Sequence, residues 1–299
     1  MLRNALAPAI LIAATLIPGC ADDGPVSPFP PDPMAAEIRD LIEDLFAGDA
    51  EEEALNRFDV IEDEIEGGQG QQAIEDALAL IGFVQINLGS GDLEDPPGAA
   101  TAETASAALA EALLEFVGFA NVTVPPEALA PGGAVGVLDQ SGGNVTTANG
   151  HAGLSLPPGS LSGQTVFILR NIPEEGDPGD HAGPLTTTLD QYPLFYDIVT
   201  SPPVGRLAVP GLVGLCVVDP PDPFAPDPVI AGRLQLAHPD PDEPARIEIL
   251  PRAEVPFLDC AGASTQTGLT LAGPGKLGGA ISSFSPFAAV DPESGGSAP

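Results

Sequence analysis

Tryptophan is absent from this 299-residue chain, and aromatic residues make up only 5% of it. Sugars are commonly held on stacked aromatic side chains, so this scarcity argues against carbohydrate binding of that kind. Basic residues are also few: nine against 43 acids, with Lys276 the single lysine. The formal net charge of −34 repels nucleic acid and anionic membrane surfaces, and neither is expected as a partner. The acids leave room for divalent cations or a basic partner; the plainer reading is a strongly solvated surface. Three histidines, His151, His181 and His238, stand far apart. No HExxH, CxxC or other local metal signature accompanies them. In a loop beside Asp or Gly a histidine is ordinarily a surface group, with a shared metal site as the alternative. Beyond the N-terminus no apolar run of transmembrane length is expected, so the rest of the chain reads as soluble. Apolar residues at 43% rule out a wholly disordered chain.

The N-terminus has its own pattern. Arg3 precedes an apolar stretch from Ala5 to Ile17, broken by Pro8, which is too short to span a bilayer. It is followed by Leu16-Ile17-Pro18-Gly19-Cys20. This arrangement resembles the lipobox of bacterial lipoproteins. The resemblance implies a signal peptide over residues 1–19, cleavage before Cys20, and lipid (palmitate and related acyl chains) on Cys20. Several acyl chains would hold the protein stably on its membrane. Ala21 stands where an aspartate would favour inner-membrane retention, so the outer membrane of the cell envelope is the expected location. An ordinary secretory signal with an incidental cysteine is the alternative. Residues 20–33, rich in Pro, Asp and Ser, read as an extended tether.

Without Cys20 the chain keeps two cysteines, Cys216 and Cys260. An even pair in an oxidising compartment predicts a disulfide. A loop of that length stabilises by roughly 4 kcal/mol on chain-entropy grounds. A metal site there would need further cysteine or histidine ligands at suitable spacing.

Residues 34–120 are helical in pattern. Ile38, Leu41, Ile42, Leu45 and Phe46 form one stripe, ended by Gly48. A second helix is expected from Asp49 as N-cap, with Glu51, Glu52 and Glu53 at the positive end of its dipole. A third spans about Gln71 to Leu88, and a fourth begins at Thr101. Four amphipathic helices with short loops predict a small antiparallel bundle. Membrane-lying or partner-binding faces are the alternative use of these stripes, but their polar sides are acidic, not basic. Residues 121–133, with Pro125-Pro126, Pro131 and Gly132-Gly133, read as a linker.

Over residues 134–290 the period changes to two. Strands are expected at 134–138, 153–156, 166–171, 195–200, 212–218, 233–237, 246–250 and 280–290. Many short strands separated by Gly, Pro and Asp clusters predict an antiparallel sandwich or barrel. The fold class is therefore α+β and multidomain, a helical bundle followed by a β-sandwich. Residues 291–299 read as a disordered tail. Within the strand region, Gly142-Gly143-Asn144-Val145, the turn Leu154-Ser155-Leu156-Pro157-Pro158-Gly159-Ser160-Leu161 and Thr165-Val166-Phe167-Ile168-Leu169 resemble the opening of ZU5-type β-sandwich domains. Ser283-Phe284-Ser285-Pro286-Phe287-Ala288 resembles their closing strand. The resemblance leaves residues 177–275 uncovered and implies interaction or scaffolding, without catalysis.

Two chemical possibilities remain. Glu174, Glu175, Asp177 and Asp180 form an acidic turn offering oxygens for calcium, without the spacing of an EF-hand. Asp219-Pro220-Pro221-Asp222-Pro223 and Asp240-Pro241-Asp242-Glu243-Pro244 are similar; stiff solvated loops are the ordinary role of such sequences. The second possibility is Phe284-Ser285. Some ZU5-containing families cleave themselves before the serine of a Phe-Ser step. Here Pro286 follows and no histidine stands beside the pair in sequence, so a closing strand with Phe284 and Phe287 in the core is the plainer reading. No nucleophile elbow, phosphate-cradling loop or paired-carboxylate arrangement stands out. The chain is thus expected to be no enzyme, to need no cofactor, and to serve as a lipid-anchored structural, adhesive or protein-interaction module of the envelope. A ligand- or calcium-binding envelope protein is the alternative.

Overall fold

A computed structural model describes residues 33–96, 101–172, 195–216, 233–240, 243, 246–260 and 276–290. Among these residues four α-helices precede ten strands, an α+β arrangement. Helix α1 (Pro33–Leu45) opens on a proline, whose missing N–H is unneeded in the first turn. It buries Ala35, Ile38, Ile42 and Leu45, three and four residues apart. Helix α2 (Asp49–Glu66) is capped by Gly48, not by Asp49 as expected. The chain reverses there with φ of 62° at Gly48, a conformation that favours glycine, and Asp49 becomes the first helical residue. Its charge still faces the positive end of the dipole. Helix α3 (Gly70–Ser90) ends on left-handed Gly91. Helix α4 (Ala102–Phe116) starts at Thr101, whose hydroxyl accepts the Thr104 N–H.

Helix α3 amends one expectation: by length and composition it is apolar enough to cross a membrane. A core helix of a soluble protein passes the same test, and α3 buries Ala73, Ile74, Ala77, Leu80, Ile81 and Val84.

The strands are β1 (Ala134–Leu138), β2 (Gly143–Thr146), β3 (Ala152–Leu156), β4 (Thr165–Ile172), β5 (Phe195–Ser201), β6 (Gly211–Cys216), β7 (Gln235–Pro239), β8 (Ile247–Ile249), β9 (Lys276–Ile281) and β10 (Phe287–Val290). They form a six-stranded sheet, β1-β4-β5-β10-β7-β8, and a four-stranded sheet, β2-β3-β6-β9. Among the described residues every strand pairing in both sheets is antiparallel. The single strand expected over 280–290 is two strands in different sheets. Pro286 explains the break, since it has no N–H to continue a ladder. Strand β2 escaped the period-two reading because it is short and only its Val145 is buried. Its entry turns on Gly142, at φ 76°, where a Cβ would sit 2.3 Å from the Leu156 carbonyl oxygen.

Two cores meet at β4. Val166 and Ile168 pack with the helices, together with Val135 and Val137 of β1. Phe167 and Leu169 point the other way, into a core shared by side chains from both sheets. With both faces covered, β4 reads as an unbroken apolar run. The segment expected to be a linker carries a 3-10 turn at Pro126–Ala128, and Ala128 and Leu129 are buried in the helical core. A disulfide joins Cys216, at the end of β6, to Cys260, as the cysteine count predicted. The bridge is buried with Val255 and Leu258.

Candidate functional site

Strands β7 and β8 are antiparallel neighbours, and their register sets His238 opposite Glu248. Cross-strand partners point to the same side of a sheet. On β7, Leu236 faces the core between the sheets and Ala237 faces away. Alternation then carries His238 to the Leu236 side. The imidazole is buried at 2% exposure, while the Glu248 side chain is 51% exposed. Nε2 of His238 lies 3.2 Å from Oε2 of Glu248. A carboxylate can only accept, which assigns the ring proton to Nε2 and leaves Nδ1 as an acceptor.

The crossover from β9 to β10 brings the third group. Oγ of Ser285 lies 2.7 Å from Nδ1 of His238, and its O–H donates there. Phe284 stands edge-on to Phe167 with ring centroids 5.2 Å apart. Phe287 is stacked on Tyr196 at 5.9 Å. The serine is thus held between two anchored aromatic residues. Ser283 is buried, and its hydroxyl has no hydrogen-bond partner among the described residues.

A hydroxyl on an imidazole that is oriented by a carboxylate is the arrangement of an activated oxygen nucleophile. The imidazole can take the Ser285 proton as the oxygen attacks a carbonyl carbon. The nearest carbonyl by covalent connection is that of Phe284, whose carbon is bonded to the Ser285 nitrogen. Attack on it needs no pocket for a separate substrate.

His238 and Glu248 are the groups that sequence reasoning overlooked. His238 was read as a surface histidine in a loop; it is a buried strand residue. A signal existed: hairpin pairing of two strands near 233–237 and 246–250 carries 238 towards 248. The missing step was the return of residue 285 across the sheet, which no local pattern encodes.

Most of the other expected site residues lie outside the described residues. Cys20, with the signal peptide and nearly all the tether, lies outside the described residues, as does the 291–299 tail. The same holds for Glu174, Glu175, Asp177 and Asp180, and for Asp219, Asp222 and His181. Asp240 has its backbone N–H bonded to the Arg246 carbonyl and its carboxylate 3.8 Å from the Arg246 guanidinium. The backbone N–H of His151 donates to Asn149 Oδ1 in a turn. Among the described residues no three His, Cys, Asp or Glu side chains gather closely enough to hold a metal ion. Burial pushes the Tyr196 phenol up to about 12. No family model matches this chain, and no curated protein matches it.

Proposed function

We propose that this chain is a lipid-anchored envelope protein whose β-sandwich, ZU5-like in kind, serves as an interaction module and matures by cutting itself at Phe284–Ser285. The observation that carries the reading is the Ser285–His238 contact of 2.7 Å, backed by Glu248. Ser285 Oγ gives its proton to His238 and attacks the Phe284 carbonyl carbon. The C–N bond breaks as the proton passes to the departing Ser285 amine, leaving an ester between Phe284 and Ser285 Oγ. Water then adds to the ester with His238 as base and returns the hydroxyl. The products are a Phe284 carboxylate and a free Ser285 amine, with one water consumed. Pro286 leaves this route open, because it lies beyond the nitrogen that departs. The half-exposed Glu248 side supplies water.

One turnover per molecule is compatible with a role that is otherwise structural or adhesive. The anchor rests on the lipobox resemblance around Cys20, and the outer-membrane location on Ala21. A protein or envelope component is the expected partner. Intact-mass measurement of the mature chain tests the processing. The expected result is a fragment ending at Phe284 and a peptide beginning at Ser285. Ser285→Ala and His238→Ala should leave one intact species, and hydroxylamine should speed cleavage of the wild type by trapping the ester. A wild-type chain that stays intact through prolonged incubation would sink the reading.

A further inference from the structure

Strand β10 occupies an interior position in the six-stranded sheet, between β5 and β7. Its backbone pairs Phe287 with Tyr196 and Ala288 with Phe195 on one side. On the other it pairs Ala288, Ala289 and Val290 with Ala237, Leu236 and Gln235. All four of its side chains are buried. Phe287 and Ala289 enter the core between the sheets, and Ala288 and Val290 lie with Ala237 on the opposite face.

The bond before Ser285 is the covalent tie from β10 back to β9. Once that bond is cut, two short ladders and its apolar side chains are what hold the strand among the described residues. Loss of the strand would expose facing rows of N–H and C=O groups on β5 and β7 and an apolar hole beside Tyr196. Such open edges recruit an extended strand. The occupant that matches both the register and the aromatic hole is the same strand from another molecule. Anchoring on one membrane raises the local concentration of copies that can supply it.

We propose that β10 is an exchangeable strand: after the cut, the segment beginning at Ser285 leaves the slot between β5 and β7, and the same segment of a second copy takes its place. The cut itself rests on the self-processing reading; the exchange does not.

The test uses the full mature chain and a fluorescent synthetic peptide covering Ser285 to Pro299. Two forms of the chain are cut before Ser285: one by its own chemistry, the other by a specific protease at a recognition site inserted between Phe284 and Ser285. The expected result is labelled peptide travelling with the cut protein on size exclusion. Unlabelled peptide should compete it away, and a Phe287→Ala peptide should bind about a hundredfold more weakly, as loss of a buried aromatic requires. The uncut Ser285→Ala chain should take up none. Cut protein that excludes the peptide, or uncut protein that binds it equally, overturns the exchange. A wild-type chain that never cuts overturns the processing instead, while the protease-cut form still decides the exchange.

Discussion

Glu248 orients a buried imidazole from an exposed edge. Its carboxylate meets Nε2 of His238 at 3.2 Å with 51% of the side chain open to water. Solvent screening weakens such a contact, so its contribution is positional more than energetic. Replacement by Gln keeps a hydrogen-bonding group but removes the carboxylate that accepts from Nε2. Glu248→Gln should slow cleavage about tenfold, a loss smaller than removal of the base itself brings. Fragment yield against time, followed across pH, checks this; an unchanged rate would leave Glu248 without a role. Tyr196 offers a second reading at this scale. Its phenol is raised to about 12 by burial, against an ordinary value near 10. The unfolded chain therefore loses this proton first as pH rises. Stability from Tyr196 is whole below pH 10 and declines between about 10 and 12, by roughly 2–3 kcal/mol. Tyrosinate absorbance together with denaturant midpoints through that window would show the decline; Tyr196→Phe should remove its part of it.

At the scale of elements, the disulfide fastens strand β6 to the segment that crosses the four-stranded sheet. Cys216 and Cys260 are 44 residues apart, with Cα atoms 5.6 Å apart. Opening the bridge frees a long loop in the unfolded chain, and about 4 kcal/mol of stability should go with it. Urea melts with and without reductant measure the difference. The lone lysine strengthens the same region: Lys276 Nζ donates to the Leu258 carbonyl at 2.6 Å. Close packing there also depends on Gly278, where a Cβ would sit 2.3 Å from the Ala253 carbonyl oxygen. The helices were legible as elements because Ile38, Ile42 and Leu45, or Leu109 and Leu113, recur at helical spacing. Strand β10 was not separable from β9, since the apolar pattern runs through both and only Pro286 marks the break.

Across the whole molecule, β4 is the seam. Ile168 is buried at 1% exposure among helical side chains while its neighbour Phe167 lies in the core between the sheets. Helices and sheets that share a strand should unfold together. Ile168→Ala should cost about 2–5 kcal/mol and lower the helical and strand signals by the same number of degrees. Separate transitions in far-ultraviolet dichroism would break that expectation. Net charge acts at the same scale. A chain at −34 repels itself when compact, and salt screens that repulsion within about 10 Å at 0.1 M. The melting temperature should climb as sodium chloride rises from the millimolar range to several hundred millimolar, which calorimetry would read directly.

The amino-acid order alone specifies the helices, most strands and the cysteine pair, because hydrophobic period, caps, turn residues and cysteine count are local or compositional quantities. Four helices before a series of short strands follow from these, but β2 and the division of β9 from β10 do not. The packing of the helical stripes onto β4 and β1 does not, since an apolar stripe records that it must be covered and not what covers it. The meeting of Ser285, His238 and Glu248 is also a product of the tertiary fold. His238 and Glu248 come together through one hairpin register, but Ser285 is 47 residues from His238. It arrives only because β10 inserts between β5 and β7, a placement set by the long-range pairing of backbone and core.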